Sequence, residues 1–163
     1  YLDVASCYGW FLAAMAERGF DVQGVERDAL GATLGAAVYG VDPARVHTGD
    51  AVDLLDAVAT PYDVVSCFSL LHHFELGRGS TDAVGLLQRL DRATGRVLFL
   101  DTGQAHESWF RESLPHWDTD HVRGFLEEHG TFDRVLDLGA DRDAVAPYAD
   151  NYGRHLFACI RDR

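Results

Sequence analysis

The opening eleven residues constrain the fold of this chain more than any other stretch. A short apolar strand carries an acid at Asp3, runs into the small residues Ala5 and Ser6, and turns at Gly9. A helix follows, with apolar positions at Phe11, Ala14 and Met15. A second strand over residues 21–25 then delivers another acid, Glu26, at its carboxyl end. Two strand–loop–helix units side by side create an edge suited to a nucleoside, with carboxylates beneath it.

The rest of the chain continues the alternation. Asp28 can cap a helix with apolar positions Leu30, Leu34, Ala37 and Val38, and Gly40 can end it. Pro43 breaks the chain before a short third strand over residues 45–48, closed by Gly49 and Asp50, and a brief helix spans 50–58. Residues 63–68 form a continuous apolar run, as expected of a central strand buried on both faces. A helix over 80–92 shows a stripe at Ala83, Leu86, Leu87 and Leu90. A fifth strand over 96–100 ends at Asp101, and a helix through Trp109 and Phe110 is expected to follow. Another helix starts near Asp118, with Val122, Phe125 and Leu126 on one face and Gly130 as its stop. Strands over 132–138 and 155–160 close the chain as an antiparallel pair, because the loop between them is short for a helical crossover. Strands alternating with helices imply an α/β sheet covered on both faces. Right-handed crossovers place Ser6, Glu26, Asp50 and Ser69 along one edge, with the switch of strand order at the first strand.

At 163 residues the chain has the size of one domain. Its formal charge is −12, and all 14 basic residues are arginines scattered among 26 acids. A nucleic-acid partner would require a basic stripe, so none is expected. No apolar run reaches the ~18 residues needed to cross a membrane, and the first residues do not read as a charged-then-apolar leader. The true N-terminus is expected to lie upstream of Tyr1. Cys7, Cys67 and Cys159 lack the spacing of zinc or redox sites and read as small buried thiols of a reducing cytoplasm.

On these residues the chain resembles the class I S-adenosylmethionine-dependent methyltransferases, over essentially its whole length. Asp3-Val-Ala-Ser-Cys-Tyr-Gly9 is similar to the family's first motif, with Ala5 and Cys7 where members often have glycine. Glu26 matches the acid closing the second strand, and Gly49-Asp50-Ala51 resembles the segment that meets adenine. Residues 63–74, with their Leu-His-His ending, are similar to the fourth motif. The resemblance implies a Rossmann-like three-layer sandwich whose seven-stranded, mostly parallel sheet has an antiparallel last strand. It implies one methyltransferase domain over 1–163, a lid built ahead of Tyr1, and S-adenosylmethionine as cofactor. Glu26 would hold the ribose hydroxyls, a bidentate match for a cis-diol. Asp50 and the Ala51 backbone would meet the adenine. Asp3, Ala5, Ser6, Cys7, Gly9, Arg27, Phe68 and Ser69 would complete the cofactor site. Asp3 would orient the methionine amino group or tie down loop amides. Tyr8, Trp10 and Phe68 would favour a cationic sulfonium, or serve ordinary packing.

The acceptor is expected to be a small molecule, by transfer to oxygen, nitrogen or carbon. His73, His72 and Asp101 are the catalytic candidates, each with a structural alternative: packing or capping for the histidines, capping of the next turn for Asp101. The aromatics Trp109, Trp117, Tyr148 and Tyr152 fall where substrate recognition is usually built. No metal site is expected, since His116 and His121 are five apart rather than the four that puts two ligands on one helix face. Two other readings compete. One is a relative by fold: an aminopropyl transferase, or a cofactor-binding or scaffolding domain of a larger protein without catalysis. The other is a dinucleotide oxidoreductase, which Cys7 and Tyr8 disfavour because they fill space a pyrophosphate would need.

Overall fold

The computed structural model describes residues 1–142 and 153–162. Seven strands form a single sheet: β1 (Leu2–Val4), β2 (Gln23–Glu26), β3 (Val46–Thr48), β4 (Tyr62–Cys67), β5 (Thr94–Leu100), β6 (Arg134–Ala140) and β7 (His155–Ile160). Their order is β3-β2-β1-β4-β5-β7-β6. The first five run parallel, and β7 is antiparallel to both β5 and β6. The order reverses at β1, which pairs with β2 on one side and β4 on the other. β4 occupies the centre, and its Val65 and Cys67 are fully buried, as are Leu2 and Val4 of β1. The expected Rossmann-like α/β architecture is observed.

Helices α1 (Trp10–Glu17) and α2 (Ala29–Tyr39) contact one another on one face. The others are α3 (Ala51–Ala57), α4 (Leu71–Glu75), α5 (Ala83–Ala93) and α6 (Thr119–His129), and α5 contacts the other three. The α5 stripe Ala83, Leu86, Leu87 and Leu90 is buried as its spacing predicts. Each of those leucines contributes about 1.5–3 kcal/mol by leaving water. The main core lies on this side, while the α1 side has a smaller one built from Tyr1, Leu12, Val22 and Val41.

Two sequence expectations fail on the α1–α2 side. The residue that α1 buries is Leu12, while Phe11 is exposed. In α2 the stripe Leu30, Leu34, Ala37 and Val38 faces solvent, and the buried positions are Gly31 and Gly35. The cause is backbone proximity. A Cβ on Gly31 would meet the Cys7 carbonyl oxygen at 2.9 Å, and one on Gly35 would meet that of Tyr8 at 2.5 Å. The helix therefore lays its glycine face against the first loop, and its leucines turn outward. The expected helix through Trp109 and Phe110 is also absent. The chain makes successive turns there, with the Phe110 and Arg111 amides both donating to the Glu107 carbonyl.

These contacts separate two glycine-to-alanine changes of equal helix propensity. Gly124→Ala, in α6 with open space around it, should gain about 0.5–1 kcal/mol. Gly35→Ala should lose about 1–3 kcal/mol, because the Tyr8 carbonyl must shift. Urea unfolding of the two variants checks the opposite signs.

Candidate functional site

At the carboxyl ends of β1, β2 and β4 lie two adjoining cavities of about 340 and 530 Å³, which share Ala5, Glu26, Leu70 and His73 in their walls. Both volumes fall in the range of small-molecule sites, about 300–1,000 Å³. The smaller is closed by Asp50 and Ala51 on one side and by Phe74 and Arg78 on the other, with Arg27 also in its wall. The larger carries Asp3, Ser6 and Cys7 opposite Phe68 and Ser69.

The loop between them is strained and held. Ala5 and Cys7 adopt φ of 63° and 49°, the left-handed region that favours glycine. This is the physical reason glycine suits both positions. Gly9 (φ 74°) opens α1, and its amide donates to the Ser6 carbonyl at 2.7 Å. Gly9 itself is absent from both cavity walls. The Ser6 hydroxyl is buried against Gly24, with no hydrogen-bond partner among the described residues. Glu26 ties the loop to the start of α2: Oε2 accepts from the Cys7 amide and Oε1 from the Asp28 amide, each at 2.8 Å. Each oxygen keeps further acceptor capacity. Asp50 caps α3 through Oδ1, which accepts from the Val52 amide at 2.8 Å. Its Oδ2 takes no hydrogen bond among the described residues.

Asp3 is nearly buried and does not tie down the loop amides. It accepts from the Ser66 hydroxyl at 2.5 Å, and the Tyr1 hydroxyl lies 2.5 Å from Ser66 in the same chain of contacts. Burial pushes its carboxyl up to about 6, against the hydrogen bonds from Ser66 and Tyr1. Tyr8 and Trp10 are 51% and 55% exposed, so neither serves the core. Phe68 lines the larger cavity and packs on Phe11 at 4.8 Å between ring centres.

The adjacent histidines have different surroundings. His72 is buried beneath the site, its Nδ1 accepting from the Gly103 amide at 2.9 Å and its ring against Phe110. Burial pushes it down to about 3, so it stays neutral at physiological pH. It appears in neither cavity wall, which His73 does in both. Burial also lowers His73, assisted by the nearby positive charges of Arg78 and Arg154.

Asp101 caps a different segment from the one expected. Its Oδ1 accepts from the Ser69 amide at 2.7 Å, bracing the loop after β4. Burial raises its carboxyl, and the Ser69 hydrogen bond opposes the rise. Sequence reasoning missed Leu70, Phe74 and Arg78 of the smaller cavity, whose only signal was the Leu-His-His motif beside them. It also missed Glu107 and Arg154, which meet across 47 positions. Trp117 is buried and Trp109 exposed, while Tyr148 and Tyr152 lie outside the described residues. The thiols divide: Cys67 and Cys159 are buried, but Cys7 is exposed. Among the described residues, no three His, Cys, Asp or Glu side chains gather as a metal site requires.

The sequence model of the methyltransferase domain family matches residues 2–99, and the chain belongs to that family. No curated protein matches the chain. Among solved structures, the bifunctional kinase-methyltransferase WbdD superposes with a TM-score of 0.72 at 18% identity. That match covers 98% of this chain and 34% of WbdD, so the chain spans about a third of that protein's length. A SAM-dependent methyltransferase from Archaeoglobus fulgidus gives a TM-score of 0.67 at 14% identity, covering 98% of this chain and 85% of that one. The magnesium protoporphyrin IX methyltransferase of Synechocystis PCC 6803, solved with bound SAM, gives 0.66 at 19%, covering 98% and 68%. At such identities the likeness is one of fold.

The buried carboxyl of Asp3 yields a pH test. Its folded value of about 6 exceeds its ordinary 3.8, so the folded chain holds the extra proton between the two. The associated stability is fully present below about pH 4 and is lost as pH rises through 6. Unfolding from pH 4 to 7 should show wild type losing about 2 kcal/mol relative to Asp3→Asn. The contribution of His72 is common to both proteins and cancels in the difference.

Proposed function

We propose that this chain binds S-adenosylmethionine across the two cavities and transfers its methyl group to a small-molecule acceptor. The observation that carries the reading is the position of Glu26. Its carboxylate stands at the end of β2, in the wall of both cavities, with its orientation set by two backbone amides. A carboxylate held this way presents its remaining acceptor capacity to the vicinal hydroxyls of a ribose.

The neighbouring residues fit the rest of the ligand. In the smaller cavity, Asp50 Oδ2 suits the adenine amino group, and the Ala51 N–H lies at the start of α3, ahead of the helical ladder. Leu70 and Phe74 supply apolar walls for a flat ring, with Arg78 beside them. In the larger cavity, Asp3 and Phe68 offer a carboxylate and an aromatic face to a cation. A cation beside Asp3 favours its ionised form, opposing the effect of burial.

When bound, the cofactor supplies an electrophilic methyl group on a positively charged sulfur. The chain's own work is alignment, which by itself can lower a barrier by about 7–11 kcal/mol. His73 is the side chain placed to take a proton from an acceptor hydroxyl or amine, and its neutral state at pH 7 leaves it free to do so. His72 holds the Gly103 backbone, and Asp101 holds Ser69. The charge of −12 opposes a nucleic-acid acceptor. Among the described residues, no helix is long and apolar enough to cross a membrane. We read the site of action as cytoplasmic, consistent with three free cysteines.

Calorimetry with S-adenosylhomocysteine tests the reading. Wild type should bind, Glu26→Ala should bind about 10–100-fold more weakly, and Glu26→Gln should fall between them. A wild type that does not bind overturns the cofactor. A Glu26→Ala variant with unchanged affinity overturns the ribose assignment.

A further inference from the structure

Arg154, the residue ahead of β7, reaches past β5 to the loop that follows β4. Each of its three guanidinium nitrogens donates a hydrogen bond. Nε donates to Glu107 Oε1 at 2.9 Å and Nη2 to Glu107 Oε2 at 2.8 Å, while Nη1 donates to the Ser69 hydroxyl at 2.6 Å. The Asp101 carboxylate lies 4.0 Å from Nη1, and the guanidinium sits 5.9 Å from the centre of the Phe110 ring. Glu107 is fully buried, and its Oε1 also accepts from the Gln104 amide at 2.7 Å.

A carboxylate removed entirely from water is costly unless well paired, and here both Glu107 oxygens accept from Arg154 while the Gln104 amide adds a third donor, which holds the guanidinium in place. The point it reaches is itself strained. Ser69 has φ of 55°, a conformation that L side chains rarely adopt. Three interactions hold it there: its amide donates to Asp101 Oδ1, its hydroxyl donates to the same oxygen at 3.4 Å, and that hydroxyl accepts from Arg154. Ser69 stands in the wall of the larger cavity with Asp3 and Phe68. The turn it leads into, closed by the His73 amide donating to the Leu70 carbonyl, carries His73 to the cleft.

We propose that Arg154, locked by Glu107, is a positioning residue that shapes the cleft wall at Ser69 to receive the part of the ligand beyond the ribose. The inference rests on the cofactor reading above and deepens it. Arg154 would set affinity for the amino-acid end of the cofactor, while Glu26 and Asp50 hold the nucleoside end independently.

The test compares two ligands by calorimetry: S-adenosylhomocysteine, and 5′-methylthioadenosine, which lacks the amino-acid portion. Arg154→Lys and Ser69→Ala should each weaken S-adenosylhomocysteine about 5–20-fold and change 5′-methylthioadenosine by less than about twofold. Because the two residues act through one contact, the double variant should lose little more than the larger single loss. A merely structural role would lower the melting temperature and leave the ratio of the two affinities unchanged; that result overturns the proposal. If Arg154→Lys does not fold, Ser69→Ala decides alone, since it leaves the Arg154–Glu107 pair intact. A wild type that binds neither ligand overturns the cofactor reading, and the inference with it. A wild type that binds both, with variants at an unchanged ratio, overturns only the role of Arg154.

Discussion

The Glu26 carboxylate joins the two strand–loop–helix units from which the cleft is built. One oxygen receives the amide of Cys7 in the first loop, and the other receives the amide of Asp28 at the start of α2. The first loop needs such support, because Ala5 and Cys7 both occupy left-handed backbone that costs a non-glycine residue about 1–2 kcal/mol. Hydrogen bonds to an ionised acceptor are roughly twice as strong as neutral ones and offset much of that cost. With the loop pinned from β2, its carbonyls press onto Gly31 and Gly35, and α2 takes its orientation from that contact. The group that would meet a ribose therefore also shapes the surface on which the ribose would lie.

The two ends of the cleft differ electrostatically. Around the smaller cavity, Glu26 and Asp50 keep acceptor capacity after satisfying backbone donors. Toward β4 and β5 the polar groups are spent on one another: Asp101 on Ser69, Ser69 on Arg154, and Arg154 on the buried Glu107. His73 stands in the wall of both cavities, its pKa lowered by burial and by the charges of Arg78 and Arg154. Recognition at one end and rigidity at the other suit a site whose chemistry depends on alignment.

Much of this was legible in the sequence, for identifiable reasons. Strand runs and the α5 stripe follow periodicities that packing preserves, so the sheet, its central β4 and the switch of order at β1 could be read. Ser6, Glu26, Asp50 and Ser69 stand at strand ends, which right-handed crossovers bring to one edge whatever the detail. The α2 stripe misled because Gly31 and Gly35 seek backbone contact, which a hydrophobic pattern does not register. Turns replaced the helix through Trp109 because the Glu107 carboxylate accepts the Gln104 amide within them and is buried on Arg154. His72 and His73 could not be told apart, since the turn that separates them depends on the positive φ of Ser69. Arg154 gave no local signal, as its partners are 47 and 85 positions away.

If Glu26 holds the ribose, it fixes where and how the nucleoside lies. A crystal structure of the chain with S-adenosylhomocysteine tests it most directly. The ribose hydroxyls should lie on the Glu26 carboxylate, the adenine between Asp50 and Phe74, and the sulfur end toward Phe68 and Ser69. A ligand bound with its ribose away from Glu26, or outside the cleft between β1, β2 and β4, would contradict it.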